Sequence, residues 1–253
     1  GTVYPIFLEV ITSEKISVGP PYFNQLIFPL LIPFLLIMAL GTKLEWIKSK
    51  KFGTKLKEIF ILILSILISY LIVKHLNSKI LYLTILISSA LYLFFISIID
   101  LNNKKLKVSQ KISHLAFSVL IISIIFNGIF SKEFSVNLKT GEEKQLLGYN
   151  IKFEKISKKE IDNYTSLKAE ILIKENNKQL EFYPELRLYK IPKTITSEAD
   201  IKTNLFSDNL VVVNYLKDSD YLNIRYQKKP FMLIIWFSVI MLGVGGILGL
   251  RKI

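Results

Sequence analysis

Five stretches of the chain stay apolar for long enough to approach or reach the roughly 20 residues that a membrane-spanning helix needs. They cover residues 25–40, 56–73, 80–99, 112–130 and 231–250. The first contains Pro29 and Pro33, which membrane helices tolerate better than soluble ones. About six residues separate the second and third stretches, which predicts an antiparallel helical hairpin. Residues 1–24 hold Gly19-Pro20-Pro21 and are not expected to form a regular helix throughout. The last stretch places Gly245 and Gly249 at a GxxxG spacing, read here as close packing within a bundle.

Between the fourth and fifth stretches the period changes to two. Phe134, Val136 and Leu138 alternate with polar neighbours, and Lys139-Thr140-Gly141-Glu142 follows as a turn. Ile151, Phe153 and Lys155 extend the pattern after Gly148. Leu167, Ala169, Ile171 and Ile173 precede a hairpin turn at Asn176-Asn177, and Leu180, Phe182 and Tyr183 return from it. Val211-Val212-Val213 and then Leu222, Ile224 and Tyr226 supply later strands. Six or seven short strands predict a small barrel or sandwich. The polar run Thr194 to Asn209 reads as a long loop or short helix. The fold class expected is therefore a polytopic α-helical membrane protein of about five spans, with one all-β extramembrane domain inserted before the last span. Residues 1–130 form the membrane region, 131–229 the β-rich domain, and 230–253 the final span and tail.

Charge adds an orientation. The chain carries a formal net charge of +13, which invites a nucleic-acid reading. Location argues against one. Residues 131–230 hold 18 Lys/Arg against 15 Asp/Glu, so only +3 of the total belongs to the polar domain. The rest lies in the membrane half, in two lysine-rich loops. Lys43, Lys48, Lys50, Lys51, Lys55 and Lys57 occupy one, and Lys104, Lys105, Lys107 and Lys111 the other. The intervening loop has only Lys74 and Lys79, and Arg251 and Lys252 close the chain. This alternation follows the positive-inside rule. It places loops 41–58 and 100–111 and the C-terminus in the cytoplasm, and the β-rich domain outside.

With no cysteine, the chain offers no disulfide, thiol chemistry or Cys-based metal cluster of its own. It starts at Gly1, directly on an apolar stretch, and is expected to be a piece of a longer membrane protein. The residue with the most chemistry is His114, set inside the apolar run Ile112 to Phe130. An ionisable side chain in hydrocarbon is costly and normally has a buried task. Imidazole leaves three: a metal or haem ligand, a proton relay, or a hydrogen bond between helices. Ser118 shares its helix face and is expected to bond back to its own helix. The only other histidine, His75, falls in a short loop and is read as exposed.

Three stretches resemble one family. The first is Gly1-Thr2-Val3-Tyr4-Pro5 followed by Lys15 to Asn24, reading Lys-Ile-Ser-Val-Gly-Pro-Pro-Tyr-Phe-Asn. The second is Ser113-His114-Leu115-Ala116, opening a span that ends in Phe130-Ser131-Lys132-Glu133. The third runs from Tyr183-Pro184-Glu185 through Thr196 to Ile201, with Lys229-Pro230-Phe231 and Trp236 later. Their order and spacing resemble the C-terminal part of the CcmF family, the haem lyase subunit of system I cytochrome c maturation. That resemblance implies a multi-pass protein of the bacterial inner membrane, with the β-domain in the periplasm, or of the mitochondrial inner membrane. It implies that haem is accepted from the haem chaperone CcmE and joined to the Cys-x-x-Cys-His motif of apocytochrome c, alongside other maturation subunits. Quinol is a candidate electron source. It also implies a membrane haem b, with His114 as one axial ligand of its iron. The family's tryptophan-rich segment, its external histidines and its other membrane histidine are expected before Gly1, and the catalytic surface with them. Where the family has an arginine at the start of its last helix, this chain has Leu233. The alternative function is a membrane-anchored structural or interaction protein that presents the β-domain and binds no haem.

Overall fold

A computed structural model describes residues 3–12, 19–42, 56–76, 80–175, 178–215 and 220–250. The lysines at 43, 48, 50, 51, 55 and 79, the segment Lys15 to Val18, the Asn176-Asn177 turn and the basic tail at 251–252 lie outside these residues. The chain divides into two compact units, one of helices and one, Phe126–Leu233, dominated by strands.

In the helical unit, α1 covers Val3–Thr12 and α2 Pro20–Gly41. Helix α2 starts where the sequence demands it. Gly19 is extended, Pro20 and Pro21 occupy the first helical positions where no N–H is needed, and Tyr22 N–H bonds to Gly19 O at 3.1 Å. Then come α3 (Leu56–His75), α4 (Ile80–Asp100), α5 (Val108–Phe130) and α6 (Met232–Leu250). Among the described residues four helices, α3 to α6, are long and apolar enough to cross a membrane, and the chain is a multi-pass membrane protein. The fifth expected span is α2, whose apolar stretch Gln25–Gly41 is shorter. Helix α4 is the hub, with Leu86, Ile87, Ala90, Leu93 and Ile96 almost fully buried, whereas Ile63 and Leu67 of α3 are more than half exposed, as lipid-facing side chains should be. Serines inside these helices donate back to their own carbonyls, among them Ser69 to Ser65 at 2.6 Å and Ser89 to Leu86 at 2.8 Å. Such bonds keep hydroxyls satisfied where no water is available.

The second unit is built from two antiparallel sheets. One orders its strands β1 (Lys132–Leu138), β10 (Leu222–Pro230), β9 (Ser207–Tyr215) and β8 (Asp200–Thr203). The other orders β2 (Glu143–Leu146), β3 (Tyr149–Glu160), β4 (Tyr164–Glu175), β6 (Glu185–Tyr189) and β7 (Thr194–Glu198), with β5 (Lys178–Phe182) also paired to β4. The alternating apolar residues meet across the ladders: Phe134 faces Tyr226, Val136 faces Ile224, and Ile224 faces Val213. Their inward sides share one core with Ile151, Phe153, Ile171, Phe182 and Leu186 of the other sheet. A β-sandwich inserted before the last helix is the fold class expected, built from more strands than expected.

Two local readings change, and one turn is new. Thr194 to Asn209 is neither loop nor helix; it forms β7, β8 and the start of β9. Both β7 and β8 are edge strands, so their outer positions are polar and the period-two signal is lost. Lys155 does not continue the inward row of Ile151 and Phe153, because the register slips between Phe153 and Lys155. This bulge turns the rest of β3 outward, and every residue from Lys155 to Glu160 is exposed. Between β2 and β3, Leu147 and Gly148 both take positive φ (51° and 83°), the backbone that lets a two-residue hairpin follow strand twist.

Candidate functional site

The helical unit gathers its polar side chains where α4 ends and α5 begins. Helix α4 closes with Leu101 N–H bonded to Ser97 O at 3.2 Å and Asn103 N–H to Asp100 O at 3.0 Å. Lys111, on the first turn of α5, donates from Nζ to Leu101 O at 2.8 Å. A cation at the carbonyl end of α4 is favourable by charge and by hydrogen bonding. This contact holds the start of α5 against the end of α4, so Gln110, Lys111 and His114 face Ser97 and Asp100. Together with Thr42 and Leu106 they line a narrow cleft.

Two buried atoms in this cleft have no hydrogen-bond partner: Asp100 Oδ2 and Ser97 Oγ. Asp100 is 5% exposed and Ser97 2%. A buried polar oxygen without a partner is expensive, so these two atoms leave room for a donor or a ligand. His114 lines the same cleft as Asp100, as do the N–H donors Gln110 and Lys111. A histidine that binds iron through one ring nitrogen normally donates its other N–H to a carboxylate or carbonyl. The residues present fit a haem-iron ligand: an imidazole with an unpartnered carboxyl oxygen in the same cleft.

No second histidine joins His114 among the described residues. His75 ends α3 and is exposed, beside the start of α4, whereas His114 lies beside the end of α4. Helix α4 has 21 residues, about 30 Å at roughly 1.5 Å per residue, so the two histidines do not share an iron. Ser118 is fully buried, but its Oγ donates to Leu115 O at 2.8 Å, a bond within its own helix. Leu233 is 44% exposed and Trp236 62%. Gly245 is buried against α5, where a Cβ would lie 3.1 Å from Ser113 N and 3.3 Å from Ser109 O and would overlap Ser113 Oγ. The GxxxG spacing thus serves helix packing. Asp100, Ser97 and Gln110 escaped the sequence reading. The available signal was an acid closing an apolar run only seven residues before the next helix.

The sandwich has its own polar network. Tyr149 Oη donates to Glu175 Oε1 at 2.7 Å, and Lys228 Nζ donates to Glu175 Oε2 at 2.6 Å. Burial, with Glu175 beside it, pushes the Tyr149 phenol well above its ordinary value. Burial alone would raise Glu175 too, but the hydrogen bonds from Lys228 and Tyr149 outweigh it and hold the carboxyl below the usual range. Among the described residues no group of three or more His, Asp or Glu side chains could hold a metal ion.

Apolar helices carrying a two-sheet β-module before the last of them define a polytopic membrane protein with an extramembrane sandwich. Residues 129–230 match a family model described as the CcmF C-terminal beta-sandwich. The chain is 25% identical to the cytochrome c-type biogenesis protein CcmF of Pseudomonas aeruginosa over 98% of its own length and 40% of the relative's. It is 27% identical to CcmF of Pseudomonas fluorescens and 24% identical to CcmF of Escherichia coli, with the same coverage. A solved structure titled Cytochrome c Heme Lyase CcmF superposes with a TM-score of 0.76 at 17% identity, covering 98% of this chain and 42% of that one. The chain spans about two-fifths of the length of the curated relatives it matches. The resemblance to the C-terminal part of the CcmF family is borne out along almost the whole chain.

Proposed function

We propose that this chain is the C-terminal part of a haem lyase acting in cytochrome c maturation. In this reading the intact protein accepts haem from the chaperone CcmE and assists its covalent attachment to apocytochrome c, together with other maturation subunits. Each thioether forms when a cysteine thiol of the apocytochrome adds across a vinyl group of the substrate haem. The carrying observation is that the similarity to CcmF proteins extends through membrane helices and sandwich alike.

Within that protein, His114 would hold the iron of a membrane haem b. Such a haem supplies one-electron chemistry when bound, with quinol as the candidate donor. The chain's own residues do the positioning. Asp100, in the same cleft, would accept the second ring N–H of His114, Lys111 fixes the helix ends, and the apolar face of α5 would exclude water. In this reading the cleft faces the cytoplasm and the sandwich the periplasm of a bacterial inner membrane, an orientation that the lysine-rich loops support. His114 precedes Phe130 by 16 residues, about 24 Å of helix at roughly 1.5 Å per residue. Electrons for chemistry at the far surface would therefore need a long step or a second carrier.

The test uses the intact protein in cells lacking their own lyase. His114→Ala should abolish or strongly reduce both b-type absorption and cytochrome c maturation, while His75→Ala leaves both unchanged. Full absorption and maturation in the His114→Ala variant would refute the assignment.

A further inference from the structure

The turn between β8 and β9 presents Leu205 and Phe206 to the outside, 71% and 79% exposed. Its backbone is well held. The side-chain oxygen of Asn204 accepts the N–H groups of Phe206 and Ser207, both at 2.9 Å, and Asn204 N–H donates to Ser207 O at 3.0 Å. Two large apolar side chains therefore project from a fixed support, a costly arrangement in water.

The location gives them a solvent. Phe206 O accepts the N–H of Phe231 at 2.9 Å, and α6 begins at the next residue, Met232. The ring of Phe231 lies 6.0 Å from that of Phe126, which lies 5.9 Å from Phe130. Asn127 Nδ2 donates to Pro230 O at 2.6 Å. The last turn of α5, the start of α6 and the β8–β9 turn thus meet in one aromatic collar. Both helices are long and apolar enough to cross a membrane, so this collar sits where the chain passes between water and lipid. Lys132, opening β1 beside the collar, and Lys202, two residues before Asn204, are exposed and suit anionic headgroups.

We propose that the Leu205–Phe206 turn is a lipid-binding anchor, which enters the membrane interface beside α6 and holds the sandwich against the bilayer. The occupant follows from continuity: the turn is hydrogen-bonded to the residue at which the chain enters the bilayer. Tyr215 is the natural contrast. It is 49% exposed at the opposite end of β9, eight residues from Ser207, about 26 Å away at roughly 3.3 Å per residue.

The chain has no cysteine, so single cysteines report cleanly. Leu205→Cys, Phe206→Cys and Tyr215→Cys would be introduced into the intact protein, labelled with a small fluorophore and reconstituted in nanodiscs of mixed neutral and anionic phospholipid. Lipids carrying a nitroxide near the headgroup should quench the labels at 205 and 206 several-fold more than the label at 215. Aqueous iodide should show the reverse order. Labels at 205 and 206 open to iodide and untouched by the lipid quencher would overturn the proposal. So would labels shielded from both, which would mean that protein covers the turn.

Discussion

Gly245 offers a sharp test of how the helices sit, because α6 contains a matched control one residue away. Gly245→Ala introduces a methyl group where Ser113 N is 3.1 Å away and Ser109 O 3.3 Å away, while at Gly246 nothing lies within 4 Å. Replacing glycine by alanine inside a helix stabilises by about 0.8–1.0 kcal/mol through backbone entropy, at either position. That gain cancels when the two variants are compared. What remains is the cost of overpacking a tight contact, about 1–3 kcal/mol, or roughly a 5- to 150-fold difference in the unfolding equilibrium. Ser113 Oγ can rotate away, but the two backbone atoms cannot, so Ser113→Ala should recover only part of the loss in Gly245→Ala. The assay is reversible unfolding of the intact protein in mixed micelles against the mole fraction of dodecyl sulfate, with helicity as the signal. Gly246→Ala should be as stable as the parent or slightly more so, and Gly245→Ala clearly less. Equal midpoints for the two variants would refute the close approach of α6 to α5.

Two further outcomes follow from the sites described. Asp100→Asn keeps the shape of the cleft and removes its carboxyl, so the haem b proposed above should be held ~10- to 100-fold less tightly, as seen by haem titration of the purified protein; unchanged retention would separate Asp100 from His114. The Glu175 carboxyl is held below its unfolded value by Lys228 and Tyr149, so its contribution is present above that value and is lost as pH falls through the folded one; with the side chain 34% exposed the effect is small, about 1 kcal/mol or less, and hydrogen exchange of the core amides should show acid sensitivity below about pH 4 that Glu175→Gln removes.

What the sequence revealed depended on whether a residue's role is local. The spans were legible because lipid imposes an unbroken apolar run, and β1, β4, β9 and β10 because one face of each is buried. Strands β7 and β8 were not, since an edge strand of Thr, Ser and Lys has no buried row to betray it. The start of α5 was set at residue 112, where apolar character begins, yet the helix starts at Val108. Its polar first turn is needed to cap α4, a function that hydropathy does not register. His114 stood out as a histidine in an apolar run. Asp100, which lines the same cleft, did not, because that cleft exists only once two helix ends are brought together by Lys111 and the seven residues between them.

The strands that begin and end the sandwich lie side by side, with Lys132 paired to Lys228 across β1 and β10. To the helices on either side, a hundred residues of inserted chain present themselves as little more than a hairpin. The insert is thus a cassette whose two ends emerge together, tied by Asn127 and Pro230 at its base. Such a cassette can lengthen, shrink or be exchanged without changing the span the loop must close, because the closure cost grows only slowly with loop length. Its ends at Ser131 and Pro230 emerge on one side, adjacent in the sheet, where a short linker could join them into a circle.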